Sequence, residues 1–268
     1  MEVYHVTVDH TLTLTLTLTL TPFFHSWPGA GMSGSVSSAG HSILHADRHI
    51  VVVVKPPGID VHGRGPDDPG TLVALVASEL RISPRALHPA SRLDRPVSGV
   101  VPLARSKLAR RSLTQQYQER QVHRTYVALA AGVPDPRSGR WDEPVRADVP
   151  RGGRAARAAD QPAITDYVVI RDLAAGCSLI ELRPVTGRTH QLRVHLSRLG
   201  RCPVLGDRRY GGPSGVTLDS GSVLGVPRVM LHARVISLRH PATGETLRIE
   251  APLLDDMQRL LDSLMLTA

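Results

Sequence analysis

Aromatic side chains make up only 3% of the 268 residues, which argues against a base-stacking platform of the RRM or OB type. Any nucleic-acid reader built from this chain works mainly through charge and shape. Cysteine is nearly absent: Cys177 and Cys202 stand in no metal-binding or redox spacing and read as reduced thiols of a cytoplasmic protein. Lysine is just as scarce, with Lys55 and Lys107 alone among 32 basic residues. The rest are arginines, whose planar fork suits phosphate, although a GC-rich genome produces the same bias. No stretch approaches the roughly 20 apolar residues of a membrane-spanning helix. The N-terminus lacks the basic segment and continuous apolar run of a secretory signal.

What is present is an excess of positive charge, 32 Lys+Arg against 24 Asp+Glu, with a pI near 10.3. That balance favours a polyanionic partner such as nucleic acid. With 41% hydrophobic residues, the chain has enough apolar material for one large or two small globular domains. Residues 1–41 differ from the rest, with an unbroken Thr-Leu alternation from Thr11 to Thr21 and a Gly/Ser-rich run from Gly29 to Gly40. They are expected to be a disordered extension, or an artefact of a start codon placed upstream of Met32. The folded domain is expected over 42–268.

From Ile43 the punctuation is that of a mixed α/β sequence. Strands are predicted over Ile50 to Val54, Gly99 to Ala104, Thr125 to Ala130, Ala163 to Arg171, Ser178 to Arg183 and Val229 to Arg239. Helical spacing appears over Thr71 to Leu80, Ser106 to Arg120 and Leu253 to Leu266. It appears again over Thr189 to Leu199, with Thr189 as candidate N-cap and Gly200 as stop. Arg151 to Asp160 reads as an exposed loop. Strands outnumber helices without strict alternation, so an α+β domain around a mixed, largely antiparallel sheet is predicted.

Two polar clusters carry candidate chemistry. In Ser91-Arg92-Leu93-Asp94-Arg95, an aspartate flanked by guanidinium groups is favoured as carboxylate, usable as nucleophile or base. An ordinary ion pair in a turn has the same spacing, so this cluster alone leaves both readings open. The second cluster runs from Pro184 to Leu196 and includes Thr186-Gly187-Arg188-Thr189-His190-Gln191-Leu192-Arg193-Val194-His195. Its Gly-Arg lies just ahead of a helix start, where an anion meets both a guanidinium and free backbone N–H groups. His190 and His195 lack the i, i+4 spacing of a zinc-protease helix, so no metal site is expected.

Together these clusters resemble the RluA-type pseudouridine synthases. The resemblance extends in order to Val53-Val54-Lys55-Pro56-Pro57-Gly58, to Arg124-Thr125-Tyr126-Val127, to Gly206-Asp207 with Tyr210-Gly211, and to Leu231-His232-Ala233 with His240-Pro241. It covers about residues 43 to 252. It implies the pseudouridine synthase fold and isomerisation of uridine to pseudouridine in structured RNA, rRNA or tRNA, with no cofactor and no metal. It also implies catalytic roles for Asp94, Tyr126 and Arg188. Asp94 falls on the aspartate that acts at the glycosidic bond, Tyr126 on the tyrosine that stacks on the flipped base, and Arg188 on the basic partner of the aspartate. Arg92 falls on the residue that fills the gap left by the uridine, and Arg95, His190 and Arg193 are expected to contact RNA. Ser91 departs from the family's usual His before Arg-Leu-Asp. Residues 1–41 are too short and too low in complexity for the S4 RNA-binding module that the family often carries, so RNA binding is expected to fall to the catalytic domain. A cytoplasmic monomer is expected, since no apolar stripe is left over for a partner. The alternatives are a silent RNA-binding protein on the same scaffold, against which the full set of site residues argues, and a carboxylate-dependent hydrolase, which needs a second acidic residue that no motif provides.

Overall fold

The computed structural model describes residues 41–63, 68–146 and 160–266. The Thr-Leu repeat, Met32 and all of the Arg151 to Asp160 loop except Asp160 lie outside the described residues, and Asp160 itself falls in a short strand. The described residues open with the hairpin β1 (Ser42–Ala46) and β2 (Ile50–Lys55). Its turn is tied by the Asp47 carboxylate, which accepts from the backbone N–H groups of His49 and Ile50 at 2.6 and 2.8 Å. All of β2 is buried, as a run of branched apolar residues requires when both faces of a strand are covered. Helix α1 (Leu72–Glu79) starts at Thr71, whose hydroxyl accepts from the Ala74 N–H at 3.3 Å. The two-residue strand β3 (His88–Pro89) and strand β4 (Ser98–Ala104) follow. Helix α2 (Lys107–Gln118) is capped in the same way by Ser106.

Strands β5 (His123–Ala131) and β6 (Ser138–Asp142), the short pair β7 (Val145–Arg146) and β8 (Asp160–Gln161), and the long strands β9 (Ile164–Asp172) and β10 (Cys177–Pro184) lead to α3 (Gln191–Arg198). A small hairpin, β11 (Gly215–Thr217) with β12 (Val223–Gly225), precedes β13 (Leu231–Arg239), β14 (Thr246–Glu250) and α4 (Asp255–Leu266). The main sheet has 10 strands in the order β1-β2-β4-β13-β5-β10-β9-β6, with β14 added on β13 and β3 on β4. Among the described strand pairs all are antiparallel except β4 with β13, where Ser98 and Gly99 align with His232 and Ala233. The predicted α+β class and mixed, largely antiparallel sheet are therefore present.

The parallel junction depends on Gly99. Its φ is +126°, and a Cβ there would run into the Ala233 backbone, so no other residue allows β4 and β13 to approach this closely. Beside it the Ser98 hydroxyl and His232 Nδ1 are hydrogen-bonded at 2.9 Å in the interior. Among the described residues, apolar packing falls into one large core, with Leu129, Ile180, Leu182, Leu196 and Ile236 fully enclosed, a smaller one of Val51, Val53, Leu72, Val76 and Leu103 beneath α1, and a minor cluster of Val145, Ala163 and Val194. Each such side chain contributes about 1.5–3 kcal/mol through burial. No described helix is long and apolar enough to cross a membrane.

Candidate active site

The loops after β3 and β10, the end of α2 and the start of β5 surround a cleft of about 880 Å³. The loop bearing Asp94 is fastened from below by the Lys55-Pro56-Pro57-Gly58 turn that ends β2. The Lys55 ammonium, with no exposed surface, donates to the carbonyl oxygens of Pro56, Ile59 and Arg95 at 2.8, 2.9 and 3.1 Å. Burial pulls its pKa down to about 8. The Gly58 N–H donates to the Arg95 carbonyl at 2.8 Å, and Arg95 Nε returns a bond to the Gly58 carbonyl at 2.7 Å. The chain is thus fixed on the C-terminal side of Asp94, whose own carbonyl also accepts from the Val97 N–H at 3.0 Å. Its carboxylate remains partly exposed in the cleft.

The cationic partner of Asp94 is Arg193. Its Nη1 donates to Asp94 Oδ2 at 3.2 Å, while Nε and Nη2 fork onto Asp207 at 2.6 and 2.8 Å. One planar guanidinium spans both acids, which a single ammonium cannot do. Burial opposes its charge, but the hydrogen bonds and charges of Asp207 and Asp94 hold Arg193 above the ordinary arginine value. The Gly206–Gly211 turn that carries Asp207 also carries Tyr210. The ring of Tyr210 lies 5.1 Å from the Arg193 guanidinium, and its hydroxyl pairs with His190 Nδ1 at 2.7 Å. His190 Nε2 faces Asp94 Oδ2 at 3.9 Å.

This geometry departs from the expectations for Arg188, Thr189 and Arg193. Arg188 forms no ion pair with Asp94; it is exposed, and its Nε donates to the Pro162 carbonyl at 3.1 Å. The reason lies in how α3 begins. His190 rather than Thr189 is the N-cap, in the left-handed region at φ 57°, and the Gln191 amide accepts from the Arg188 N–H and the Thr186 hydroxyl at 3.0 and 2.8 Å. The Thr186–Thr189 loop is thereby held to β9, where Gln191 donates to the Ile164 carbonyl at 2.9 Å, and Arg188 points outward. Arg193, expected among the RNA contacts, is instead buried and occupied by two carboxylates.

Tyr126 stands on β5 and is nearly enclosed, yet it lines the cleft together with Asp94 and Leu231. Arg124, two residues earlier on the same face, also lines it, as does Tyr117 from α2. The Ser91 hydroxyl is bonded to the Tyr117 hydroxyl at 2.9 Å, so the position that departs from the family's His is occupied in shaping this wall. Arg92 and Arg95 are exposed at the rim. The residues that the sequence motifs contained without an assigned role are Lys55, Arg124, Asp207 and Tyr210.

Among the described residues, one group has metal-ligand spacing: His45, Asp47 and His240, with ligand atoms within 4.8 Å of one another. It lies outside the cleft lining. The His240 Nδ1 accepts from the backbone N–H groups of Thr243 and Ala242 at 3.1 and 3.4 Å, which assigns the proton to Nε2. That proton goes to Asp47 at 2.8 Å. The trio therefore clamps the β1–β2 turn to the β13–β14 turn and has no lone pair on His240 Nε2 for an ion.

Comparison with known proteins gives a consistent set. The family model for RNA pseudouridylate synthase matches residues 49–198. The dual-specificity RNA pseudouridine synthase RluA of Escherichia coli K12 is 36% identical over 213 residues, covering 78% of this chain and 92% of that protein. The ribosomal large subunit pseudouridine synthase D of Xanthomonas campestris is 37% identical over 234 residues, covering 83% of this chain and 69% of that one. Among solved structures, human RNA pseudouridylate synthase domain containing 4 superposes with a TM-score of 0.63 at 30% identity, covering 83% of this chain and 92% of its own.

Proposed function

Because the chain belongs to the RNA pseudouridylate synthase family, we propose that its cleft isomerises uridine to pseudouridine in structured RNA, rRNA or tRNA, with Asp94 as the catalytic carboxylate. The carrying observation is the Asp207–Arg193–Asp94 chain of charges, which presents one partly exposed carboxylate in a cleft otherwise rich in arginine. The reaction breaks the N1–C1′ bond of uridine, turns the uracil in place and joins C5 to C1′. The C5 proton leaves, N1 gains a proton, and no atom is added or lost overall. A base stacked in RNA cannot reach a carboxylate, so it is flipped out at a cost of about a few kcal/mol. Arg92 at the rim fills the vacated space, and Tyr126 offers its ring to the base. Arg193 aims and charge-balances Asp94, the role that the family resemblance implied for Arg188. Arg95 and His190 contact the RNA around the nucleotide. No step in this chemistry calls for a metal or cofactor, and a cytoplasmic monomer completes the reading.

The test is tritium release from [5-³H]uridine-labelled RNA by wild type and Asp94→Asn side by side. Release by wild type alone is expected, with the variant keeping most of its RNA affinity because phosphate contacts supply most of the binding. Substantial turnover by Asp94→Asn removes that residue from the mechanism. No release by folded wild type from rRNA or tRNA would favour a silent RNA-binding protein.

A further inference from the structure

Two of the arginines that line the cleft, Arg193 and Arg124, are treated differently by the fold. Arg193 is neutralised by two carboxylates. Arg124 forms no ion pair with any described acidic side chain, and its Nε is shut off from solvent with no hydrogen-bond partner. Its neighbours are aromatic: the guanidinium lies 5.7 Å from the Tyr117 ring centre, and Tyr126 stands next to it on β5. Burial weighs against its charge, while the adjoining Tyr126 and Tyr117 hold it above the ordinary arginine value, so the cation persists. The opposite wall is backbone, because Gly187 comes so close that a Cβ there would lie 3.3 Å from Arg124 Nη2.

A guanidinium half-withdrawn from water without a counter-charge is costly, and buried charges normally recover that cost through a paired anion. Here the protein supplies none, and the space beside the charge is the open cleft. A uracil carbonyl could accept a hydrogen bond there but would leave the charge unbalanced. A phosphate answers both needs, with two oxygens matched to the planar fork. We propose that Arg124, flanked by Tyr117 and Gly187, is a seat for one backbone phosphate of the bound RNA beside the flipped nucleotide. The inference rests on the cleft being the RNA site. It makes Arg124 a binding residue that positions the sugar of the target over Asp94, with its burial cost carried by the free protein until RNA arrives.

The experiment uses the full chain as wild type, Arg124→Lys and Arg124→Met, with unmodified transcripts of tRNA and large-subunit rRNA as probes. Dissociation constants are measured over a series of KCl concentrations, alongside the melting temperature of each free protein. Loss of one phosphate contact lowers the slope of log Kd against log salt by about 0.7–0.9. That drop is expected for Arg124→Met and not for Arg124→Lys. Removal of a half-buried, uncompensated charge should also leave the melting temperature of free Arg124→Met at or above that of wild type. An unchanged slope for Arg124→Met overturns the proposal whatever the melting temperature does. Arg124→Gln serves in the same comparison if the Met variant does not fold. Tritium release by wild type from the same transcripts reports separately on the reaction. Release without a slope change sinks the phosphate seat alone, and a slope change without release sinks the isomerase reading alone.

Discussion

Replacing Arg193 by lysine keeps the charge and removes the fork. In the native site three different nitrogens serve two acids, Nε and Nη2 on Asp207 and Nη1 on Asp94. A lysine has one nitrogen and will settle on Asp207, whose side chain is 1% exposed, rather than on Asp94 at 24%. Asp94 then loses a charge-assisted hydrogen bond worth about 1.5–3 kcal/mol, which corresponds to a rate loss of about 10- to 150-fold if it is fully expressed in the transition state. The assay is single-turnover tritium release at saturating enzyme, with RNA affinity measured separately and expected to hold. Stability and catalysis can be separated further. Arg193→Met strands a buried Asp207 carboxylate and should cost about 3–5 kcal/mol in a denaturant melt. The double variant Arg193→Met/Asp207→Leu removes both charges, so it should regain most of that stability without regaining turnover. A rate for Arg193→Lys within twofold of wild type, or an active double variant, would refute the assignment of Arg193 as the residue that aims Asp94.

Two further outcomes follow from buried groups. Lys55→Met deprives the carbonyls of Pro56, Ile59 and Arg95 of their shared donor. It should lower stability by about 1–3 kcal/mol or more and slow the single-turnover rate, since the loop bearing Asp94 loses its anchor; a wild-type rate would show that the anchor is dispensable. His232 is fully buried, and burial together with the nearby Arg228 pushes its pKa down to about 3. The unfolded chain therefore binds a proton between about pH 6.5 and 3 that the native state does not, and stability falls with acidification across that window, by up to about 1.4 kcal/mol per pH unit from this group. The melting temperature followed from pH 7 to 4 should decline, and His232→Gln should flatten the decline; an unchanged profile for that variant would mean that other groups control acid unfolding.

Where apolar periodicity was strong, the sequence was readable almost to the residue. The expected strand over Ser178 to Arg183 is observed as Cys177–Pro184, and the helix expected over Ser106 to Arg120 begins directly after its Ser106 cap. What escaped was half-exposed: β14 carries Thr, Arg and Glu among its five residues, and β6 is exposed at every position but Trp141. Such strands are specified by their neighbours in the sheet more than by their own pattern. Thr189 is the better capping residue by type, but the observed N-cap is His190, in the left-handed region and with no side-chain capping bond. The guanidinium beside Asp94 is that of Arg193, while Arg188 donates to the Pro162 carbonyl. The available signal was that Arg193 precedes Leu196 by three positions, which puts a guanidinium on the apolar side of a short helix, where it must be paired. Asp207 lay in a recognised motif, but only the fold brings that turn beneath α3.

The parallel pairing of β4 with β13 also has a consequence for the life of the molecule before it is finished. The loop with Asp94 leads straight into Ser98, whose hydroxyl is bonded to His232, 134 positions further along. A ribosome that has translated α3 has already produced Asp94, Tyr126 and Arg193, yet the strand that seats the first two is still unmade. Closure over so long a separation is slow and comes late. Catalytic competence should therefore appear as a step close to the end of synthesis, so that nascent chains emerging beside the RNA-rich ribosome stay chemically idle until the last strands are in place.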